Sequence, residues 1–291
     1  MKTLIRKLLM LLLAVTINSA AGDSLSSNAQ VQGAPWWPTS GAILLGGGGQ
    51  QNDTADAFID HLIALAGGPD SLIVVIPTAS DGLPPRLPSS DPEVSRITTL
   101  RKHLEGRGAR HVAFLHTRDR KVANSEEFVK ILRSAKGVFF PGGASRVLDE
   151  TYHGTLVESE LKALLKRGGV VAGDSAGAIT IGCFWLGWTS PTSDFGKVTD
   201  GLSLLPLVTV SPHASRLNDE WRDTILKYGS THPPTVAINI DENTALVLKG
   251  SIAEVLGKNG VTFINAGKTG SPAFRLKAGD QYDFSKWARE W

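Results

Sequence analysis

Short, unbroken apolar runs alternating with longer segments of helical period constrain this chain more than any other feature. Ala42 to Leu45, Leu72 to Ile76, Val112 to Leu115, Gly137 to Phe140 and Val170 to Ala172 show no polar alternation, so each predicts a strand covered on both faces. Between the first two runs, Ala55, Phe58, Ile59, Leu62 and Ala66 recur at three- and four-residue steps. That period predicts an amphipathic helix over Asp53 to Leu65, closed by Gly67 and Gly68. Similar periods predict helices over Val94 to Leu104, Ser125 to Arg133, Thr155 to Arg167 and Arg216 to Tyr228. After residue 235 the texture changes to strands alone: Val236 to Ile240, Thr244 to Leu248, Ala253 to Leu256 and Val261 to Asn265. The predicted fold is α/β: a doubly wound, mostly parallel sheet with helices on both faces and a β-rich C-terminal part. No internal repeat and no second domain is visible.

The first residues read differently. Lys2, Arg6 and Lys7 precede the apolar run Leu8 to Ile17, which is too short to span a bilayer, and Ser19-Ala20-Ala21 supplies small residues for cleavage. Residues 1–21 are therefore expected to be a signal peptide and 22–39 a polar lead-in, with one catalytic domain over 40–291. The expected localisation is secreted or periplasmic, with no stable membrane insertion after cleavage. Removing Lys2, Arg6 and Lys7 from the 30 Lys and Arg leaves 27, against 28 Asp and Glu. This near-neutral balance, without a basic stripe carrying interleaved aromatics, gives no nucleic-acid footprint. An exported chain could use disulfides, but the single Cys183 cannot form one within the chain, so stability must come from an apolar core. Cys183, in Ile181-Gly182-Cys183-Phe184, reads as a small packed residue, and the tryptophans at 36, 37, 185, 188, 221, 287 and 291 read as packing residues.

In a doubly wound sheet, chemistry is expected at the carboxyl ends of the strands. After Val170 to Ala172 stands Gly173-Asp174-Ser175-Ala176-Gly177, followed by Ala178-Ile179-Thr180-Ile181, a helix start. A serine on a sharp strand-to-helix turn needs small neighbours, and the turn exposes its hydroxyl. The competing reading is a glycine-rich turn that only packs strand against helix. One strand earlier, Phe139-Phe140-Pro141-Gly142-Gly143 allows close backbone approach, so Gly142, Gly143 and the Ala176 N–H are candidates for an oxyanion hole. Of the seven histidines, His213 and His116 follow apolar runs; His61 and His103 fall in helices, His111 begins a strand and His232 precedes Pro233-Pro234. Asp241-Glu242 closes a strand where a carboxylate could orient an imidazole. No His-x-x-x-His pair and no Cys cluster occurs, so neither metal nor other cofactor is expected.

Together, Gly-x-Ser-Ala-Gly-Ala around Ser175, the Pro141-Gly142-Gly143 turn, the isolated His213 and Ile240-Asp241-Glu242-Asn243-Thr244-Ala245 resemble the cyanophycinase and dipeptidase E family. The resemblance covers Gly41 to about Gly257. It implies a glutamine-amidotransferase-like α/β fold and a serine peptidase with Ser175 as nucleophile, His213 as base and Glu242 as third member, Gly142 and Gly143 lying near the oxyanion. Strand alternation, which sends neighbouring side chains to opposite faces, agrees that only one of Asp241 and Glu242 reaches the base. The loop Gly46-Gly47-Gly48-Gly49-Gln50 resembles the family's opening glycine loop and lacks the Lys-Ser/Thr ending of a phosphate loop.

The sequence departs from the polymer-cleaving members at Ala144-Ser145, around the base in Ser211-Pro212-His213-Ala214, and at Asp174. Asp174, Ser145, Arg216 and Arg222 are the candidate substrate-binding residues, with Arg146 and Asp219 as further charges near them. A peptide carrying aspartyl units, first of all an aspartate polymer with arginine side groups and second an aspartyl dipeptide, is the expected partner; a homodimer is left open. Two other classes compete: a secreted esterase, whose triad would run Ser, Asp, His, with Asp194 or Asp200 as acid, and a binding module with a decayed site.

Overall fold

The computed structural model describes residues 35–49, 53–80, 95–186, 198–217, 223–227, 236–266 and 273–285. The expected signal peptide and most of the lead-in lie outside them. The chain runs in this order: β1 (Ala42–Gly46), α1 (Asp53–Leu65), β2 (Leu72–Val75), α2 (Ser95–Gly106), β3 (His111–Phe114), α3 (Arg120–Ala123), α4 (Glu126–Ser134), β4 (Gly137–Phe140), α5 (Ser145–Tyr152), α6 (Leu156–Lys166), β5 (Val170–Asp174) and α7 (Ala176–Ile181). Then follow β6 (Phe184–Leu186), β7 (Val198–Asp200), β8 (Val208–Ser211), β9 (Val236–Ile240), β10 (Thr244–Lys249), β11 (Ile252–Gly257), β12 (Gly260–Asn265), β13 (Phe274–Lys277) and β14 (Gln281–Asp283). Besides the two sheets, β6 and β7 make a small ribbon.

The larger sheet has the order β14-β11-β10-β1-β5-β4-β2-β3. Strands β1, β5, β4, β2 and β3 are parallel, whereas β10, β11 and β14 extend the β1 edge antiparallel. The alternation within each parallel strand sorts the core into two layers. Ala42, Leu44, Ile73, Val75, Phe139 and Ala172 pack with Phe58, Ile59 and Leu62 of α1 and Leu104 of α2. Ile43, Leu45, Val74, Val138, Phe140 and Val171 pack the other way, against Leu132, Leu148, Tyr152, Leu161 and Leu164 of α4, α5 and α6. The second sheet, β13-β12-β9-β8, joins this latter layer through Val208, Ile238, Val261 and Phe263. Both faces of the parallel strands are thus covered, which is why those runs carry no polar alternation.

The strand-rich end therefore divides between the sheets, β10, β11 and β14 in one and β9, β12 and β13 in the other. The expected helix over Arg216 to Tyr228 is altered: Ala214–Arg216 is a short 3-10 turn ending at the extended Leu217, residues 223–227 are helical, and 218–222 lie outside the described residues. Helix α5 escapes periodicity because it has eight residues, and its buried positions include Ser145, Asp149 and Thr151 among the apolar ones. Trp36 lies within the stretch read as lead-in, yet it is buried, with its ring 4.7 Å from Phe284 and edge-on to Trp37 at 5.5 Å. The side chain of Trp185 and the tryptophans at 188, 221, 287 and 291 lie outside the described residues.

Trp36 packs on Phe263 of β12 and on Phe284, the residue after β14. Trp36→Ala should lower the unfolding free energy by about 3–5 kcal/mol in urea denaturation, while Ile252→Ala, at an exposed position, should stay within about 0.5 kcal/mol of the parent.

Candidate active site

The register of the sheets brings three distant segments to one edge. Gly46 at the end of β1 pairs with Asp174 at the end of β5, so the turn after β5 opens beside the glycine loop after β1. Strands β8 and β9 are parallel, with Ser211 opposite Asn239, so His213 and Glu242 emerge side by side. Because β10 is antiparallel to β1, with Ala245 opposite Gly46, the turn preceding β10 also arrives at this edge.

Ser175 occupies the sharp turn, at φ 52° and ψ −118°, an uncommon conformation for a residue with a side chain. The small flanks are required by close approach. A methyl at Gly173 would lie 2.3 Å from the Gly177 carbonyl oxygen, and one at Gly177 would lie 2.0 Å from that of Phe140. Ser175 Oγ is 2.9 Å from His213 Nε2, and His213 Nδ1 is 2.7 Å from Glu242 Oε1. A hydroxyl, an imidazole and a carboxylate are thus linked in one chain, which can move a proton off the hydroxyl and balance the resulting imidazolium charge. The side chains of His213 and Glu242 are 16% and 25% exposed, so the pair is largely screened from water yet reachable from one side.

Three successive carbonyls of the glycine loop hold these segments. Ser175 N–H donates to the Gly46 oxygen at 3.1 Å, His213 N–H to that of Gly47 at 2.8 Å, and Asn243 N–H to that of Gly48 at 3.0 Å. The Gly48 N–H in turn donates to Asp174 Oδ1 at 3.0 Å. His213 has a left-handed backbone, φ 55°, and its carbonyl accepts from Arg216 N–H at 2.8 Å.

Asp241 and Glu242 diverge as strand alternation predicts. Asp241 Oδ2 accepts from the Gly260 N–H at 3.2 Å and faces Arg275 Nη2 at 2.5 Å, away from His213. The Glu242 carbonyl is held by Asn259 Nδ2 at 2.8 Å. The rival His116 is buried, with Nδ1 2.8 Å from Thr78 Oγ1, whose oxygen lies 2.6 Å from the Tyr152 hydroxyl. Burial pushes that phenol up to about 12. The acid meeting His213 follows it in the chain, unlike the Ser, Asp, His order of the esterase alternative; Asp194 and His232 lie outside the described residues.

The oxyanion candidates differ in position. A methyl at Gly142 would sit 3.1 Å from Ser175 Cβ and 3.5 Å from its Oγ, so this backbone runs directly beside the serine. Gly143 packs on the Ala79 carbonyl, to which the next residue, Ala144, donates at 2.9 Å. Ala176 opens the first turn of α7, whose N–H groups have no carbonyl four residues earlier in the helix. Among the substrate-binding candidates, Asp174 adjoins Ser175 and Ser145 is buried at the start of α5. Arg216 Nη2 lies 2.6 Å from Glu242 Oε1, the same oxygen that faces His213. Arg146 pairs with Glu150 at 3.0 Å, while Asp219 and Arg222 lie outside the described residues. Among the described residues no group of three or more His, Cys, Asp and Glu could hold a metal ion, and no helix is long and apolar enough to cross a membrane. Burial pushes the Cys183 thiol up to about 11, so it is protonated, and hence a poor nucleophile, at neutral pH.

The family model of Peptidase family S51 matches residues 42–256, which include the glycine loop, Ser175, His213 and Glu242. The chain belongs to this family. It is a serine-type peptidase. The S51 chain is 28% identical over 232 residues to a cyanophycinase of Geminocystis herdmanii, covering 77% of this chain and 80% of that relative. A cyanophycinase of Synechococcus elongatus is also 28% identical, over 234 residues, with 77% and 68% covered. A solved peptidase from an acI-B1 Actinobacterium superposes with a TM-score of 0.67 at 25% identity, over 85% of this chain and 98% of that one.

Sequence reasoning identified the glycine loop of this S51 peptidase but not its work as a row of carbonyl acceptors. The run of glycines after a strand was the only signal, and a hydrogen-bond partner distant in sequence leaves no periodic trace. The pairing of Arg216 with Glu242 was likewise missed, because the intended partner of an exposed arginine is not legible from composition.

At Gly48 a methyl would lie 2.2 Å from His213 Cε1 and 2.4 Å from its Nε2, and the residue has φ 77°. Gly48→Ala should therefore push the imidazole off Ser175. We expect kcat/KM to fall by about a hundredfold while the far-ultraviolet circular dichroism spectrum stays that of the parent, since a misplacement of about 1 Å costs this much.

Proposed function

We propose that this peptidase hydrolyses peptide bonds next to aspartyl units, with Ser175 as nucleophile, His213 as general base and then acid, and Glu242 as the carboxylate that orients and balances His213. The observation that carries this reading is the unbroken hydrogen-bond chain from Ser175 Oγ through both ring nitrogens of His213 to Glu242 Oε1. Ser175 Oγ bonds to the carbonyl carbon as its proton passes to Nε2. The imidazolium then gives that proton to the leaving amine, the C–N bond breaks and the acyl group remains as an ester on Ser175. Water enters by the reverse route and frees the carboxylate. The Ala176 N–H and the Gly142 and Gly143 region bear the negative oxygen formed at each addition.

Two substrates fall within this class. The β-Asp-Arg polymer is favoured by the likeness to cyanophycinases and by the leader pattern of residues 1–21, since an insoluble polymer must be degraded where it lies. Small aspartyl dipeptides are the second. The leader pattern also supports a secreted or periplasmic location.

The purified protein should be offered insoluble polymer, soluble aspartyl dipeptides and a p-nitrophenyl ester. Release of β-aspartyl-arginine supports the first substrate and dipeptide cleavage alone the second; ester hydrolysis without either would return the esterase class. On whichever peptide is cleaved, Ser175→Ala should lower kcat by on the order of 10⁶-fold. Glu242→Gln should lower it by about 10³- to 10⁴-fold with little change in KM, because the wrong imidazole tautomer is then favoured. Asp241→Asn, whose side chain faces Arg275, should leave kcat within severalfold of the parent; an equal or greater loss would exchange the two acids.

A further inference from the structure

A cavity of about 580 Å³ opens between α1, α2 and the carboxyl ends of β4 and β5. Its walls are hydrocarbon: Phe58 and Ile59 from α1, Leu100 from α2, and Phe139 and Pro141 from the end of β4. The rings of Phe58 and Phe139 stand 5.4 Å apart at 50° and form one continuous side. The cavity ends on Gly142 and Asp174, the backbone beside Ser175 and the residue preceding it. Its polar side chains are Thr99, His103 and Asp174. His103 Nε2 lies 2.8 Å from Asp56 Oδ1, and Asp56 also meets Arg107 at 3.3 Å, while Asp174 Oδ1 accepts the Gly48 N–H.

We infer that this cavity is the specificity pocket of the Ser175 site and takes a bulky apolar side chain, aromatic or branched aliphatic, beside the scissile bond. The inference rests on the reading of Ser175 as nucleophile. Three considerations carry it. The volume lies within the range of pockets that enclose a ligand, well above what an alanine side chain would fill. A phenylalanine or leucine would exchange water for contact with four large apolar side chains, and that transfer is favourable in proportion to the area covered. A guanidinium in the same place would give up its hydration among Phe58, Ile59, Leu100 and Phe139, which offer no hydrogen bonds in return. Among aspartyl peptides, the pocket therefore favours those whose neighbouring residue is apolar over those bearing arginine, and so weighs for the second of the two substrates proposed above and against the polymer.

The test uses blocked aspartyl peptides that differ only in the neighbouring residue: alanine, arginine, leucine or phenylalanine. The parent should show kcat/KM for the leucine and phenylalanine peptides about tenfold or more above those for alanine and arginine. Ala55→Trp, which fills the cavity from α1, should collapse that ratio. Thr99→Trp, at an exposed position on the α2 rim, should do the same with no core position disturbed. The same peptides titrated calorimetrically into Ser175→Ala should bind in the same order. Arginine equal to or above phenylalanine in both assays, or an undiminished ratio in both tryptophan variants, would overturn the pocket assignment. If the parent cleaves none of the peptides while Ser175→Ala still binds phenylalanine best, the pocket stands and the nucleophile reading fails.

Discussion

The site depends on a row of three backbone carbonyls. Gly46, which ends β1, and Gly47 and Gly48, which follow it, accept in turn the N–H groups of Ser175, His213 and Asn243, the last being the residue after Glu242. Each bond alone contributes only about 1 kcal/mol. Their value lies in register: one rigid strand end fixes the heights of three segments that are far apart in sequence. Side chains at the last two of these positions would not fit, as a methyl at Gly47 would lie 2.0 Å from the Asp241 carbonyl oxygen and one at Gly48 would enter the His213 ring. The absence of side chains in this loop is thus a packing requirement of the hydrogen-bond chain opposite it.

The sheet supplies the rigidity that this arrangement needs. Strand β1 sits between the parallel β5 and the antiparallel β10, which carry Ser175 and Glu242 on their adjoining turns. Both its faces are buried, Ile43 and Leu45 toward one layer and Ala42 and Leu44 toward the other. With one cysteine in the sequence, the chain has no internal disulfide to hold these turns, and the two apolar layers do so instead. Strain at Ser175 is sustained by this surrounding order, since a strained turn persists only where its neighbours over-determine it.

Much of this was legible in the sequence for a physical reason. Strands covered on both faces must be apolar throughout, so β1, β2, β3, β4 and β5 were visible to within a residue or so, and strand ends then pointed to Ser175, Gly142, His213 and Glu242. Features set by tertiary contact were not. Helix α5 is too short for a period, and β6, β7, β13 and β14 are three or four residues each. Trp36 lies in a stretch of polar composition, and only its contact with Phe284 reveals that it belongs to the core. The apolar cavity joins residues of α1, α2, β4 and β5 that read separately as ordinary core positions. His116 and His213 were nearly equal as strand-end histidines; the difference is that one meets Thr78 in the core and the other meets Ser175.

The proposed function requires Ser175, activated by His213, as the nucleophile. Its most direct test is reaction of the purified protein with a fluorophosphonate, followed by mass mapping of the modified peptide. A single adduct on Ser175, lost in His213→Ala and retained in His116→Ala, is the expected result. An adduct on another residue, or labelling of Ser175 that is undiminished in His213→Ala, would contradict it.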